Sequence, residues 1–238
     1  MAKNTANKHI KDKPEMSLEP KEIQEISTGF MLTEYQIVKE MRDKAITRRE
    51  SRANIYFSLV SGVTAFLLLI SQLFGTSDLF YTVVFIVSLI ILGYGTMVFD
   101  RLVEGHISVR IYARGINRIR RYFVEFDPKI KPFLMMPIND DIPGFDSTGF
   151  FKRKGTQGGL LRLIIFSNTF VASLVIFLFI FALLRPNVLY AGIGAGVSGI
   201  TTFIASIKYF NSQVRIADKN TPVLFPSEKK KEVSEINR

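Results

Sequence analysis

Arg110, Arg114, Arg118 and Arg121 recur at spacings of four, four and three residues, which sets four guanidinium groups on one face of a helix. Planar forks of this kind suit phosphate oxygens, so the stripe is a candidate site for an anionic ligand or a lipid headgroup. The alternatives are a solvated face paired with acids such as Glu34 or Glu40, and a docking face for an acidic protein.

Other groups able to do chemistry are sparse. The chain has no cysteine, which excludes disulfide frameworks, thiolate nucleophiles and cysteine-based zinc sites. Of the two histidines, His9 falls in a polar N-terminal stretch, whereas His106 stands alone on an apolar stripe and reads as a structural or pH-responsive group. Asp140, Asp141 and Asp146 lack the spacing and terminal glutamate of a calcium loop and read as turn residues. Gly155, Gly158 and Gly159 lack the Gly-Lys-Ser/Thr ending of a phosphate loop. No catalytic residue, cofactor or metal site is therefore expected, and the chain reads as non-enzymatic.

The elements that must carry these residues are membrane spans. Of the 238 residues 47% are apolar and 22% charged, but the two kinds are segregated. Residues 55–74, 79–99, 163–184 and 187–207 contain no Asp, Glu, Lys, Arg or His, and each stretch is long enough to cross about 30 Å of hydrocarbon as a helix. The polar residues before the first window exclude a cleavable secretory signal. An uncharged interior also disfavours ion-coupled transport, which normally needs an ionisable group at depth.

Charge orients the spans. Thirty of the 31 Lys and Arg residues lie before the first window, between the second and third, or after the fourth; only Arg185 lies in an outer turn. Positive residues mark the cytoplasmic side, so both termini are expected there, in a bacterial cell inner membrane. The connections 75–78 and 185–186 are short enough to make two tight hairpins. The net charge of +10 sits beside the spans, which favours a bilayer with anionic headgroups as partner and not nucleic acid.

Apolar stripes continue beyond the first hairpin. Met31, Tyr35, Val38, Met41 and Ala45 precede span one, and Leu102, His106, Val109, Ala113, Ile116 and Phe123 follow span two until Asp127-Pro128. Paired, they would form an antiparallel stalk, with Gly105 and Gly115 permitting close approach. The fold expected is thus an all-α membrane protein of four transmembrane helices in two hairpins, the first extended by a cytoplasmic antiparallel helical stalk. Residues 1–28 would be a flexible tail, 29–127 the first hairpin with its extensions, 128–160 a Pro/Gly/Phe-rich segment, 161–210 the second hairpin and 211–238 a basic tail.

Three smaller features complete the set. Gly192 and Gly196 form a GxxxG spacing that Gly199 extends, and Asn168 is the polar group at depth in span three; all four are candidates for helix packing, subunit contact or a pore lining. Lys152, Arg153 and Lys154, beside Phe150 and Phe151, are candidates for lipid-headgroup contact. Phe133, Leu134, Met135 and Met136 are expected to pack on the stalk or lie at headgroup level.

From Tyr35-Gln-Ile-Val-Lys-Glu to the first span, and at Tyr112-Ala-Arg-Gly-Ile-Asn-Arg-Ile-Arg-Arg-Tyr-Phe with Asp127-Pro128, the chain resembles small uncharacterised bacterial multi-span membrane proteins over residues 30–140. Its hairpin with cytoplasmic extensions is also similar in layout to the two-span effectors of bacterial nucleotide-signalled defence systems, from which the second pair of spans departs. That resemblance implies a signal-responsive homo-oligomer that opens or disrupts the membrane, with a nucleotide or a cytoplasmic protein as partner. An anchor or scaffold for a cytoplasmic complex, and a transporter of small neutral or lipidic molecules, are the competing expectations.

Overall fold

A computed structural model describes residues 20–75, 77–144, 159–183 and 188–227. Among them the elements are helical throughout: α1 (Pro20–Phe74), α2 (Asp78–Phe126), a short 3-10 helix (Pro128–Phe133), α3 (Gly159–Leu183) and α4 (Val188–Asn220). All four α-helices are long and apolar enough to cross a membrane.

Local signals set the helix ends. Proline 20, whose fixed φ suits a first turn, begins α1, and Glu22 follows it. The helix therefore starts within the stretch 1–28 expected to be a tail. It ends before Gly75, whose φ of 70° is a left-handed conformation that glycine adopts without strain. Ser77 caps α2 by accepting the Phe80 N–H. At the far end Pro128 halts α2 at Phe126, and the Asp127 carboxylate turns to accept the Lys129 N–H of the 3-10 helix. No proline or glycine interrupts the chain between Gly199 and Pro222, so α4 runs on to Asn220, well beyond the expected span end at 207.

The chain divides into two units, residues 1–37 and 38–238. Of the first, the described part is the opening of α1. In the second, the core joins all four helices near the polar ends of the spans: Ala53 and Tyr56 of α1, Val98, Phe99, Leu102 and Val103 of α2, Leu161, Ile164 and Ile165 of α3, and Phe210 and Val214 of α4. Gly105 lies 3.7 Å from the Arg49 side chain and Gly115 3.5 Å from Val38, measured from where a Cβ would stand. Both distances are ordinary van der Waals contact.

Large apolar side chains elsewhere on the spans are exposed, among them Leu69, Ile90, Phe170, Leu189 and Val197. An aliphatic and aromatic surface on this scale is stable only against hydrocarbon or another apolar partner.

Helices α3 and α4 meet through small residues. A Cβ at Gly199 would stand 2.5 Å from Ser173 Oγ, and one at Gly194 would overlap Ile180. Gly192 and Gly196, the GxxxG pair, have no neighbour within 4 Å of a Cβ position. The intramolecular contact therefore uses Gly194 and Gly199 and leaves Gly192 and Gly196, the pair that the spacing favoured, without a neighbour.

Candidate functional site

The polar continuation of α2 carries the arginine stripe, and the fold brings other segments against it: the loop 139–144, the last turn of α4, and a strap, 221–227, that follows α4. Arg110 Nη1 donates to the Gly144 carbonyl at 2.8 Å. Arg114, 1% exposed, pairs through Nη2 with Asp218 at 2.6 Å and donates through Nη1 to the Thr221 carbonyl. Arg118 pairs through Nε with Asp140 at 2.8 Å and donates through Nη2 to the Pro222 carbonyl at 2.5 Å. Arg121 pairs with Glu125 on its own helix at 2.6 Å and lies 5.9 Å from the centre of the Phe225 ring. Glu40, considered from spacing as a partner for the stripe, instead pairs with Lys44 at 2.6 Å.

Two aspartates assigned from sequence to turns do lie in a turn, closed by the Ile142 N–H on the Asn139 carbonyl, and also act as anchors. Asp140 is fully buried, and its carboxylate accepts the Leu224 and Phe225 N–H groups at 2.9 Å each, as well as Arg118. Asp141 accepts the Ser227 N–H at 3.1 Å and the Ser227 hydroxyl at 2.6 Å. Asn117, between the arginines in the helical register, donates to the carbonyls of Asn139 and Ile142 at 3.1 and 2.5 Å. Strap, loop and helix thereby form one hydrogen-bonded latch, which joins the continuation of span two to that of span four.

The electrostatics follow from this packing. Burial opposes ionisation of Asp140, but the Leu224 N–H, Arg118 and the Phe225 N–H outweigh it and hold the carboxyl below its usual range. His106 is buried beside the Phe210 ring, 5.5 Å between centroids. Burial first, then the charges of Arg110 and Arg49, pull its pKa down to about 4, so the imidazole is neutral at pH 7. Both ring nitrogens lack a hydrogen-bond partner among the described residues.

A second polar cluster lies inside the bundle. The Tyr56 hydroxyl donates to Asn168 Oδ1 at 2.8 Å and lies 3.0 Å from Ser167 Oγ. Asn168 is thus placed at a helix contact, the first of the roles considered for it. Lys152, Arg153 and Lys154 lie outside the described residues.

Asp218 escaped the sequence reading because Arg114 is 104 residues away, and the anchoring role of Asp140 and Asp141 escaped it because the strap N–H groups that they accept are 84 to 86 residues away. The available signal was Asn117 within the arginine register, an amide that a simple charged face does not need. Compared with family models, curated proteins and solved structures, the chain matches none of them.

Proposed function

We propose that this chain is a non-enzymatic, multi-pass protein of the bacterial inner membrane with both termini cytoplasmic, and that it works as a signal-responsive oligomeric effector. In this reading the spans pair as two hairpins, the first prolonged into a stalk, and the bundle opens or disturbs the bilayer when the latch is released. The observation that carries it is the Arg114–Asp218 pair: α2 and α4 each run from a span into the latch, so displacing the strap alters how the two spans are held. A nucleotide or an acidic protein segment that competes for Arg114 and Arg118 is the chemistry suited to release it. The orientation rests on the charge split between the two sides.

The test is leakage from proteoliposomes. Wild-type protein should leave the bilayer tight, and Asp140→Asn combined with Asp218→Asn should make it leak. A tight bilayer under both conditions would favour the second reading, a membrane scaffold for a cytoplasmic complex. That reading draws on Phe133, Met135 and Met136, which are exposed on the loop side of the latch.

A further inference from the structure

Between the polar ends of α1 and α2 lies a cleft of about 470 Å³, separate from the latch and lined by Lys44, Arg48, Arg49, Arg52, Arg101 and Glu104. Five cations face one carboxylate there. Glu104 is committed to Arg101 at 2.9 Å, and Lys44 to Glu40 at 2.6 Å outside the cleft. Arg48, Arg49 and Arg52 form no salt bridge among the described residues, and the one carboxylate whose charge acts on Arg49 is that of its chain neighbour Glu50.

Arg49 is the telling member. It is 5% exposed, and its Nε and Nη1 meet no acceptor among the described residues. Its stem lies over Gly105, 3.7 Å from where a Cβ would stand. A buried guanidinium with two unmet donors is costly, and for Arg49 the cost of burial outweighs the attraction of Glu50. An anion in the cleft removes that cost.

Depth selects the anion. Arg48 and Arg52 precede the first apolar window by seven and three residues, and Arg101 follows the second by two. At about 1.5 Å per residue these positions stand roughly 3 to 10 Å outside the hydrocarbon, within or just beyond the headgroup layer.

We infer that this cleft binds the phosphate of one anionic phospholipid, with Arg49 as its floor and Arg48, Arg52 and Arg101 around it. The site requires only that the chain spans a bilayer, so a failure of the latch experiment leaves it standing.

The full chain, purified in zwitterionic micelles, is titrated with phosphatidylglycerol, and retained lipid is counted by native mass spectrometry. One lipid should be held per chain. Arg49→Gln and Arg49→Lys should each weaken retention roughly tenfold, the lysine because it loses the planar fork. Arg52→Gln, at an exposed position, should also weaken it and leaves the buried packing intact should the Arg49 variants not fold. Arg215→Gln, an exposed charge outside the cleft, should change it less than about twofold.

Three results would overturn the assignment. Equal losses for Arg52→Gln and Arg215→Gln would mean diffuse attraction to the surface. Displacement of the lipid by glycerol phosphate at comparable concentration would mean a site for a free anion. Absence of stoichiometric retention by the wild type would mean no lipid site.

Discussion

The Tyr56 hydroxyl donates to Oδ1 of Asn168 at 2.8 Å, and that same oxygen occupies the space in which a Cβ on Gly95 would stand. Three helices thus meet at one polar contact: the phenol from α1, the amide from α3 and the vacant side-chain position from α2. Hydrocarbon supplies no competing hydrogen bonds, so the contact selects one arrangement of the helices.

Gly95→Ala should force Asn168 aside and lower the stability of the purified bundle by about 1 to 3 kcal/mol. Tyr56→Phe should cost about 0.6 to 2 kcal/mol. In combination the two should cost less than their sum, because either one breaks the same bond. Thermal unfolding in detergent checks all three variants, and strict additivity would show that the bond contributes nothing.

The latch should give way selectively. Asp140→Asn leaves the Leu224 and Phe225 N–H groups poorly matched and Arg118 without its anion, a loss of about 1 to 3 kcal/mol. Hydrogen exchange over residues 221–227 should accelerate, with the spans unchanged. Arg121→Gln, which removes a part-exposed pair within α2 and a distant contact with the Phe225 ring, should cost less than about 1 kcal/mol.

Stability should fall as pH drops below neutral. His106 has a folded pKa of about 4 against 6.5 when free, so the folded state binds the proton less readily than the unfolded one. Its contribution is fully present above pH 6.5 and is lost as pH falls toward 4; by pH 5 about 2 kcal/mol should be gone. His106→Gln should flatten the midpoint-against-pH curve between pH 7.5 and 5. The depressed carboxyl of Asp140 acts lower, its contribution present above its unfolded value and lost as pH falls through the folded one, so the two effects separate.

Alanine at Gly199 should separate α3 from α4, because the new methyl meets Ser173, with a cost of about 1 to 2 kcal/mol. At Gly192 and Gly196 the methyl meets nothing, and monomer stability should move by less than about 0.5 kcal/mol. If those two residues serve subunit contact, cross-linking yield should drop in their variants while the unfolding midpoint stays put.

Orientation is accessible through cysteines, since the chain has none. Ser77→Cys should react with an impermeant maleimide in intact cells, and Arg215→Cys only after permeabilisation. The reverse pattern would place the latch on the outer side.

What the sequence determined by itself is what depends on neighbours a few residues away. Absence of charge over about twenty positions is a property of the local chain, and the described residues of each of the four windows are helical. The stop at Asp127 follows from Pro128 acting on its own neighbours. The stripe of Leu102, His106, Val109 and Ile116 is likewise buried as its period indicates.

Tertiary structure decided which face meets which partner. The four arginines stand on one helix as their spacing requires, yet whether guanidinium groups point to water, to phosphate or to protein carbonyls depends on segments more than a hundred residues away in the chain. Glycine spacing marked α4 as able to pack closely, but the small residues cover more than one face, and only the arrival of Ser173 and Ile180 selected Gly199 and Gly194 over Gly192 and Gly196. A periodicity specifies a face; the occupant of that face is set by long-range contacts whose loop-closure cost and geometry have no local signature.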